Sequence, residues 1–388
     1  MKTIYADLLG RVGFRVRQLL EHPPEGFRFV SRLGWSDRLS DHAIRNNFLW
    51  RWRHRLNRLA PLNLLAAYGP LRFKRPPPGA DLTYSESPLI FRREPWVVGV
   101  EVAIQFAGYD HRHLARYRRV VEAALGSRHC RGIVCWSQAA RRSLLERLSA
   151  ESFAGKISVV YPAGTPKPCA RPESSNGRPV RILFVSSVVT PGGFEQKGGR
   201  EALEAFVWLR RVCPQAELVI RSDVPESLRS CYEGVPGMKF LTRPVPRAEL
   251  DRLYQSADIF WYPAHSLSSV VVLEAMSYAL PVITSDYYDN PEYIEDGRTG
   301  FVARHGRRLP SWDTSPREVL EAVREPDPGL VGELVEKTRL LIEQPALGRR
   351  LGAAAREEVE HGKFSLEVKN RRLQAVFERA LAAEGVAA

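Results

Sequence analysis

Residues 265–302 read HSLSSVVVLEAMSYALPVITSDYYDNPEYIEDGRTGFV, and the fold class follows from this stretch. Ser268 or Ser269 can cap a helix, and the apolar run that follows predicts one over Ser269–Leu280, broken on its apolar side by Glu274. Pro281–Thr284 (PVIT) reads as a strand. A turn follows, then a short helix from Pro291 and a return punctuated by Gly297 and Gly300. The same rhythm runs upstream: strands at Arg181–Val185, Glu217–Arg221, Lys239–Leu241 and Ile259–Tyr262, helices at Gly199–Val212 and Arg247–Ser256. Continuous β-branched strands alternating with amphipathic helices indicate parallel sheets covered on both faces.

Before Thr165–Pro179 (TPKPCARPESSNGRP), a linker by composition, the pattern repeats less cleanly. Phe27–Val30, Pro95–Val102, Gly132–Trp136 and Lys156–Tyr161 read as strands, and Gln138–Leu148 as a helix capped by Ser137. The expectation is an α/β chain with two Rossmann-like domains facing a central cleft. Residues 1–164 form the first, 165–179 the linker and 180–362 the second, with a helix in 363–388 packing back toward the first.

The chain has 388 residues, 44% hydrophobic and 26% charged, a globular balance that can bury a sizeable core. No apolar run approaches the ~20 residues that cross a bilayer. Asp7, Arg11, Arg15 and Arg17 stand where a secretory signal needs its apolar stretch, so a cytoplasmic location is expected. Cys130, Cys135, Cys169, Cys213 and Cys231 form no C-x-x-C pair and read as reduced, structural thiols. His111 and His113, two apart, would point to different faces of a helix and make a poor metal pair.

Charge is distributed unevenly. The first 170 residues hold 28 basic and 13 acidic residues, a balance of +15, while the rest hold 29 and 31, or −2. A one-sided field of this kind either faces an anionic partner or solvates one face. Residues 45–59, RNNFLWRWRHRLNRL, sharpen the question. On a helix, Leu49, Trp52, Leu56 and Leu59 share one face and Arg51, Arg55 and Arg58 another. Two readings stay open: a helix lying on an anionic membrane surface, or one packing its aromatic face on the first sheet. No RNA- or DNA-binding motif is present, so no nucleic acid is expected.

Three segments after the linker carry candidate chemistry: Thr190–Gly199, His265–Met276, which holds Ser268, Ser269 and Glu274, and Pro281–Val302 with its turn, short helix and glycine-punctuated return. Thr190–Gly199 (TPGGFEQKGG) joins a strand to a helix; Gly192 and Gly193 permit close backbone approach, and Lys197 places an ammonium where a phosphate would sit. The N–H groups near Ser268 and Ser269 offer a second anion cradle. Glu274, among apolar neighbours, needs a partner such as a sugar or ribose hydroxyl, or else an ion pair.

These segments together resemble the carboxyl-terminal domain of retaining GT-B glycosyltransferases of family four. The resemblance is carried by RILFV, KGG-x4-EAF, L-x3-AD-x3-YP, LEAMSYALPVITSD, NPEYIEDGRTGFV and LGAAAREEVEHGKFS, and it covers about residues 130–380. It implies a nucleotide-sugar donor, no cofactor and no metal; no D-x-D follows an apolar strand. By that resemblance Lys197 holds the donor diphosphate and Glu274, the second glutamate of E-x7-E, contacts the ribose. Gly193, Ser266, Ser268 and Ser269 line the phosphate and sugar, while Thr242 and Arg243 lie near the nucleobase. The sequence departs from the pattern at Ser266, which replaces the first glutamate, at Ser187, where an arginine is usual, and at Tyr288 and Asp289, which replace twin glycines. Arg221 is a candidate for the missing positive charge. A retaining transferase acting on a lipid-linked or anionic acceptor is therefore expected. The alternative is a catalytically degenerate GT-B protein that binds a nucleotide sugar or supports a partner enzyme.

Overall fold

The computed structural model describes residues 1–7, 13–31, 61, 64, 76–168, 178–187, 192–267, 270–313 and 316–382. Contacts divide the chain into two units: Met1–Pro162 with Asp313–Ser315 and Glu367–Ala388, and Ala163–Trp312 with Pro316–Leu366.

The first unit holds a six-stranded sheet of β1 (Lys2–Asp7), β2 (Phe27–Val30), β3 (Leu82–Glu86), β4 (Trp96–Val100), β5 (Cys130–Cys135) and β6 (Ile157–Val159), in the order β2-β1-β3-β4-β5-β6. All neighbouring strands run parallel. Every residue of β4, WVVGV, is buried, as a central parallel strand covered on both faces requires. Ser137 caps the helix Gln138–Arg147, its Oγ accepting from Ala140 N–H at 3.0 Å. The helix Leu366–Ala382 buries Leu373, Val376, Phe377 and Ala380 in a cluster with Ile4, Phe27, Tyr84 and Val97. Its Phe377 ring lies 5.5–6.2 Å from those of Phe27, Phe29 and Tyr84, the spacing of favourable aromatic pairs.

The second unit repeats the plan with β7 (Arg181–Val185), β8 (Glu217–Arg221), β9 (Met238–Leu241), β10 (Ile259–Tyr262), β11 (Val282–Ser285) and β12 (Gly300–Ala303), ordered β12-β11-β10-β7-β8-β9. These strands too are all parallel. Its core joins Ile182, Phe184, Phe206, Leu209, Ile220 and Trp261 to Leu330 and Leu334 of the helix Pro328–Glu343. The buried Trp261 indole donates to Thr338 Oγ1 at 2.9 Å, which satisfies the one polar atom that ring brings inside. Counted from its first strand, this sheet has the order 3-2-1-4-5-6, and its switch point falls between β7 and β10. That crevice, outside the carboxyl ends of those strands, is where open α/β sheets bind ligands.

Among the described residues no helix is long and apolar enough to cross a membrane. The segment carrying Arg51, Arg55 and Arg58 lies outside the described residues, as does most of the linker.

Candidate active site

Two loops meet at the switch point. From β7 the chain passes Ser186, whose Oγ donates to the Gly193 carbonyl at 3.0 Å, and enters the one-turn helix Gly193–Gln196. From β10 it passes Pro263 to Leu267. The two are joined where His265 N–H donates to the Gln196 carbonyl at 2.8 Å. A second constraint is Gly198, at φ +76°, whose Cα abuts Pro263 so closely that a Cβ there would meet the Pro263 carbonyl oxygen at 2.0 Å. Only glycine fits both the left-handed backbone and the approach.

Lys197 is held between these two fixed points. Its Nζ donates to Ser266 Oγ at 2.8 Å and to the Leu267 carbonyl at 2.7 Å, two neutral acceptors, and lies 5.3 Å from the Tyr262 ring centroid. Burial lowers its pKa to about 8, against the opposing pull of the Asp289 charge. Lys197, Ser266 and Gly193 are thus brought together at the switch point.

Glu274 has a different setting. It sits on the helix Val270–Ser277, accepts from Arg247 Nη1, and accepts from the Tyr254 hydroxyl at 3.2 Å. Arg247 also pairs with Asp251 at 2.8 Å, and Tyr254 stacks on Tyr278 with centroids 5.3 Å apart. The partner that a glutamate among apolar neighbours needs is here an arginine and a phenol. Arg221 reaches from the end of β8 to the Ser186 carbonyl at 3.0 Å; burial lowers its pKa, countered by Tyr254 and Glu274. It therefore brings positive charge to the end of β7, beside Ser187, whose carbonyl accepts from Asp223 N–H at 3.3 Å.

Thr242 and Arg243 follow β9 at the edge of the sheet, two strands from β7, with Arg243 exposed and 3.8 Å from Glu249. Tyr288 holds φ +51°, a left-handed conformation that explains why a glycine is expected at this position and that a tyrosine adopts at a cost of about 1 kcal/mol. Ser268 and Ser269 lie outside the described residues. Cys130 and Cys135 are buried, which pushes both thiols up to about 12 and makes them inert as nucleophiles.

Sequence reasoning missed a buried polar chain under the Lys197 loop. Glu201, fully buried in the first turn of Gly199–Val212, places Oε1 3.1 Å from His265 Nε2. His265 Nδ1 lies 2.9 Å from His305 Nε2, and His305 Nδ1 lies 2.5 Å from Asp286 Oδ1. The available signal was Glu201 on the apolar face of an amphipathic helix, a charge that must find a partner.

Residues 179–322 match the family model described as "Glycosyl transferases group 1". The chain is 30% identical over 192 residues to sulfoquinovosyl transferase SQD2 of Arabidopsis thaliana, which covers 48% of this chain and 31% of that protein. It is 25% identical over 191 residues to alpha-maltose-1-phosphate synthase of Mycolicibacterium smegmatis, 46% of this chain and 43% of that protein. The chain thus spans less than half the length of these curated relatives. Among solved structures, Anabaena HepE in complex with UDP and glucose aligns at TM-score 0.59 with 14% identity, covering 97% of this chain and 99% of that one. A glycosyltransferase from Rickettsia africae aligns at 0.56 with 14% identity and 98% coverage of both. The two parallel six-stranded sheets with their helices are the GT-B fold.

Proposed function

We propose that the chain is a retaining glycosyltransferase that moves a sugar from a nucleoside-diphosphate donor to a lipid-linked or otherwise anionic acceptor, without a metal ion. The observation that carries this reading is Lys197: a partly buried ammonium at the β7–β10 switch point, hydrogen-bonded to neutral oxygens, with Gly193 and a helix start beside it. A partly desolvated cation in that position matches a diphosphate and the charge it gains as the sugar leaves. The group 1 match over residues 179–322 and the UDP bound by HepE support a nucleotide sugar as donor.

In the proposed reaction the bond from the anomeric carbon to the diphosphate oxygen breaks, and a bond from that carbon to the acceptor oxygen forms on the same face. The acceptor proton passes to the departing phosphate oxygen, so no protein nucleophile is required. Lys197 and Arg221 would carry the developing negative charge, while Glu274 would hold the ribose hydroxyls in exchange for part of its bond to Arg247. The expected location is cytoplasmic, with peripheral attachment to the inner membrane face through Arg51, Arg55 and Arg58.

A donor screen that follows nucleoside diphosphate release, with and without acceptor pools, tests the proposal. Release with at least one nucleotide sugar, reduced about a hundredfold or more by Lys197→Ala in a folded protein, is the expected result. Two observations favour the degenerate reading: Ser266 in place of a glutamate, and Glu274 occupied by Arg247. Tight UDP binding without release from any donor would select it.

A further inference from the structure

The two oxygens of Glu274 are held from inside and from the solvent side. Tyr254, fully buried, donates its hydroxyl to Oε2 at 3.2 Å. Burial, and after it the Glu274 charge, push that phenol well above its ordinary pKa, so it stays a donor. Arg247 Nη1 donates to Oε1, and its side chain is 46% exposed where that of Glu274 is only 19% exposed. A hydroxyl arriving from solvent therefore meets Oε1 where the guanidinium already stands.

Arg247 has a second carboxylate to rest on. Within its own helix, Arg247–Ser256, Asp251 lies one turn on and places Oδ1 2.8 Å from Arg247 Nε. Asp251 is fixed in turn by the Tyr278 hydroxyl at 2.7 Å, and Tyr278 stacks on Tyr254 with ring planes 5° apart. Different nitrogens serve the two carboxylates, Nε for Asp251 and Nη1 for Glu274, so the second contact can open while the first holds. Opening it leaves no unpaired charge in the interior, because the guanidinium already reaches water. Arg221 also feels the Glu274 charge, but its Nη1 is bonded to the Ser186 carbonyl at 3.0 Å.

We infer that Arg247 sets how strongly the ribose of the donor is read: ribose hydroxyls reach Glu274 by displacing Arg247 Nη1, and the lost ion pair offsets part of what they gain. The site then discriminates less against nucleoside diphosphates that lack ribose hydroxyls than a free carboxylate would. Arg247 is a positioning residue that acts through Glu274, a role that rests on the donor site proposed above.

Its removal has two effects of opposite sign. Without the competing cation, Glu274 accepts from ribose hydroxyls at no exchange cost, so ribose recognition sharpens. Loss of a positive charge from the surroundings of a diphosphate weakens binding of the nucleotide as a whole. The second effect is common to nucleotides with and without ribose hydroxyls, and the first is confined to those that have them.

Calorimetry of the full-length protein with UDP and with 2′,3′-dideoxyuridine diphosphate separates the two. The preference for UDP, taken as the ratio of the two dissociation constants, should rise about two- to fivefold in Arg247→Ala, the factor that a partly exposed ion pair corresponds to. Arg247→Met, which keeps the apolar stem, should give the same rise and guards against a folding defect in the alanine variant. Glu274→Gln should lower the preference, and in that background Arg247→Ala should leave it unchanged. A preference that stays constant or falls in both Arg247 variants would overturn the inference, a fall marking Arg247 as a ribose ligand in its own right. A preference untouched by Glu274→Gln would also overturn it, by taking Glu274 away from the ribose, while leaving Lys197 as the diphosphate ligand. Wild-type protein that binds neither nucleotide would overturn the donor-site reading and this inference with it.

Discussion

Gly198→Ala, compared with Gly297→Ala, separates two effects at positions with nearly identical backbones. Gly198 has φ +76° and Gly297 φ +75°, so an alanine at either must enter the left-handed region, at about 1–2 kcal/mol. At Gly297 the new methyl group meets nothing within 4 Å. At Gly198 it would lie 2.0 Å from the Pro263 carbonyl oxygen and 2.7 Å from its carbon, where ordinary contact begins at 3.4 Å. The loops must then part by about 1.4 Å, and no rotamer can absorb the shift because the obstructing atoms are backbone. Overpacking of this kind costs about 1–3 kcal/mol beyond the conformational term. Gly198→Ala should therefore lose about 3 kcal/mol or more in urea unfolding and Gly297→Ala about 1 kcal/mol. Because the shift separates Lys197 from Ser266, Gly198→Ala should also weaken UDP binding at least tenfold by calorimetry, while Gly297→Ala leaves it unaltered. Equal losses of stability in the two variants would refute the close-approach argument. A stability gap without a change in UDP affinity would refute only its link to Lys197.

Lys369, buried in the first unit with Gln18 Oε1 at 3.3 Å, has its pKa lowered by burial to about 7. The unfolded chain binds this proton up to about pH 10.4, so folding carries a penalty that is full below about pH 7 and fades as pH rises from there to about 10.4. Lys369→Met should stabilise the protein by roughly 4–5 kcal/mol at pH 6 and by almost nothing near pH 10.5 in denaturant titrations; a gain independent of pH would contradict this cause. Lys197, lowered to about 8, should make UDP affinity fall as pH rises through that value, and Lys197→Arg should flatten the profile. Glu274→Gln should weaken UDP binding about fivefold, since the amide is a poorer acceptor for ribose hydroxyls; an unchanged affinity would leave Glu274 as the ion-pair partner of Arg247. For residues 45–59, vesicle co-sedimentation should rise with anionic lipid, fall with salt and weaken when Arg51, Arg55 and Arg58 become Gln, whereas indifference to lipid charge would end the membrane reading.

The second sheet was legible because its strands are mostly apolar through their centres, with charges at the ends of β7 and β8, and are bounded by turn residues. Arg181–Val185, Glu217–Arg221 and Ile259–Tyr262 read from the sequence with the same ends that the structure has. In the first unit, β1 and β3 escaped notice. KTIYAD and LTYSE are short, mix polar with apolar residues, and bury Thr3, Thr83 and Ser85 beside Ile4 and Tyr84. Sidedness is lost when hydroxyl groups are buried with the hydrophobes, so periodicity alone cannot find such strands. β1 nonetheless lies between β2 and β3, and without it the first sheet would be split.

At the site, legibility divides along chain distance. Lys197 could be singled out because its signal is local: glycines, a cation and a helix start within ten residues. The pairing of Lys197 with Ser266 spans 69 residues and depends on two connections that cross at the switch point. The Arg247–Glu274 pair shows the limit more clearly. A glutamate among valines and leucines announces that a partner exists, and both a ribose and an arginine satisfy that need. What decides between them is the placement of Arg247 on a helix that leads into β10 while Glu274 sits on the helix that leaves it. Occupation by Arg247 does not remove Glu274 from a donor site, because a pair of this kind, with Arg247 about half exposed, contributes only ~1 kcal/mol and is open to exchange with hydroxyl groups. It does mean that any ribose bound there must compete with a cation already in place. At Lys197 the setting differs: its two hydrogen-bond acceptors, Ser266 Oγ and the Leu267 carbonyl, are neutral, so its charge is not engaged by a bonded carboxylate as that of Glu274 is by Arg247.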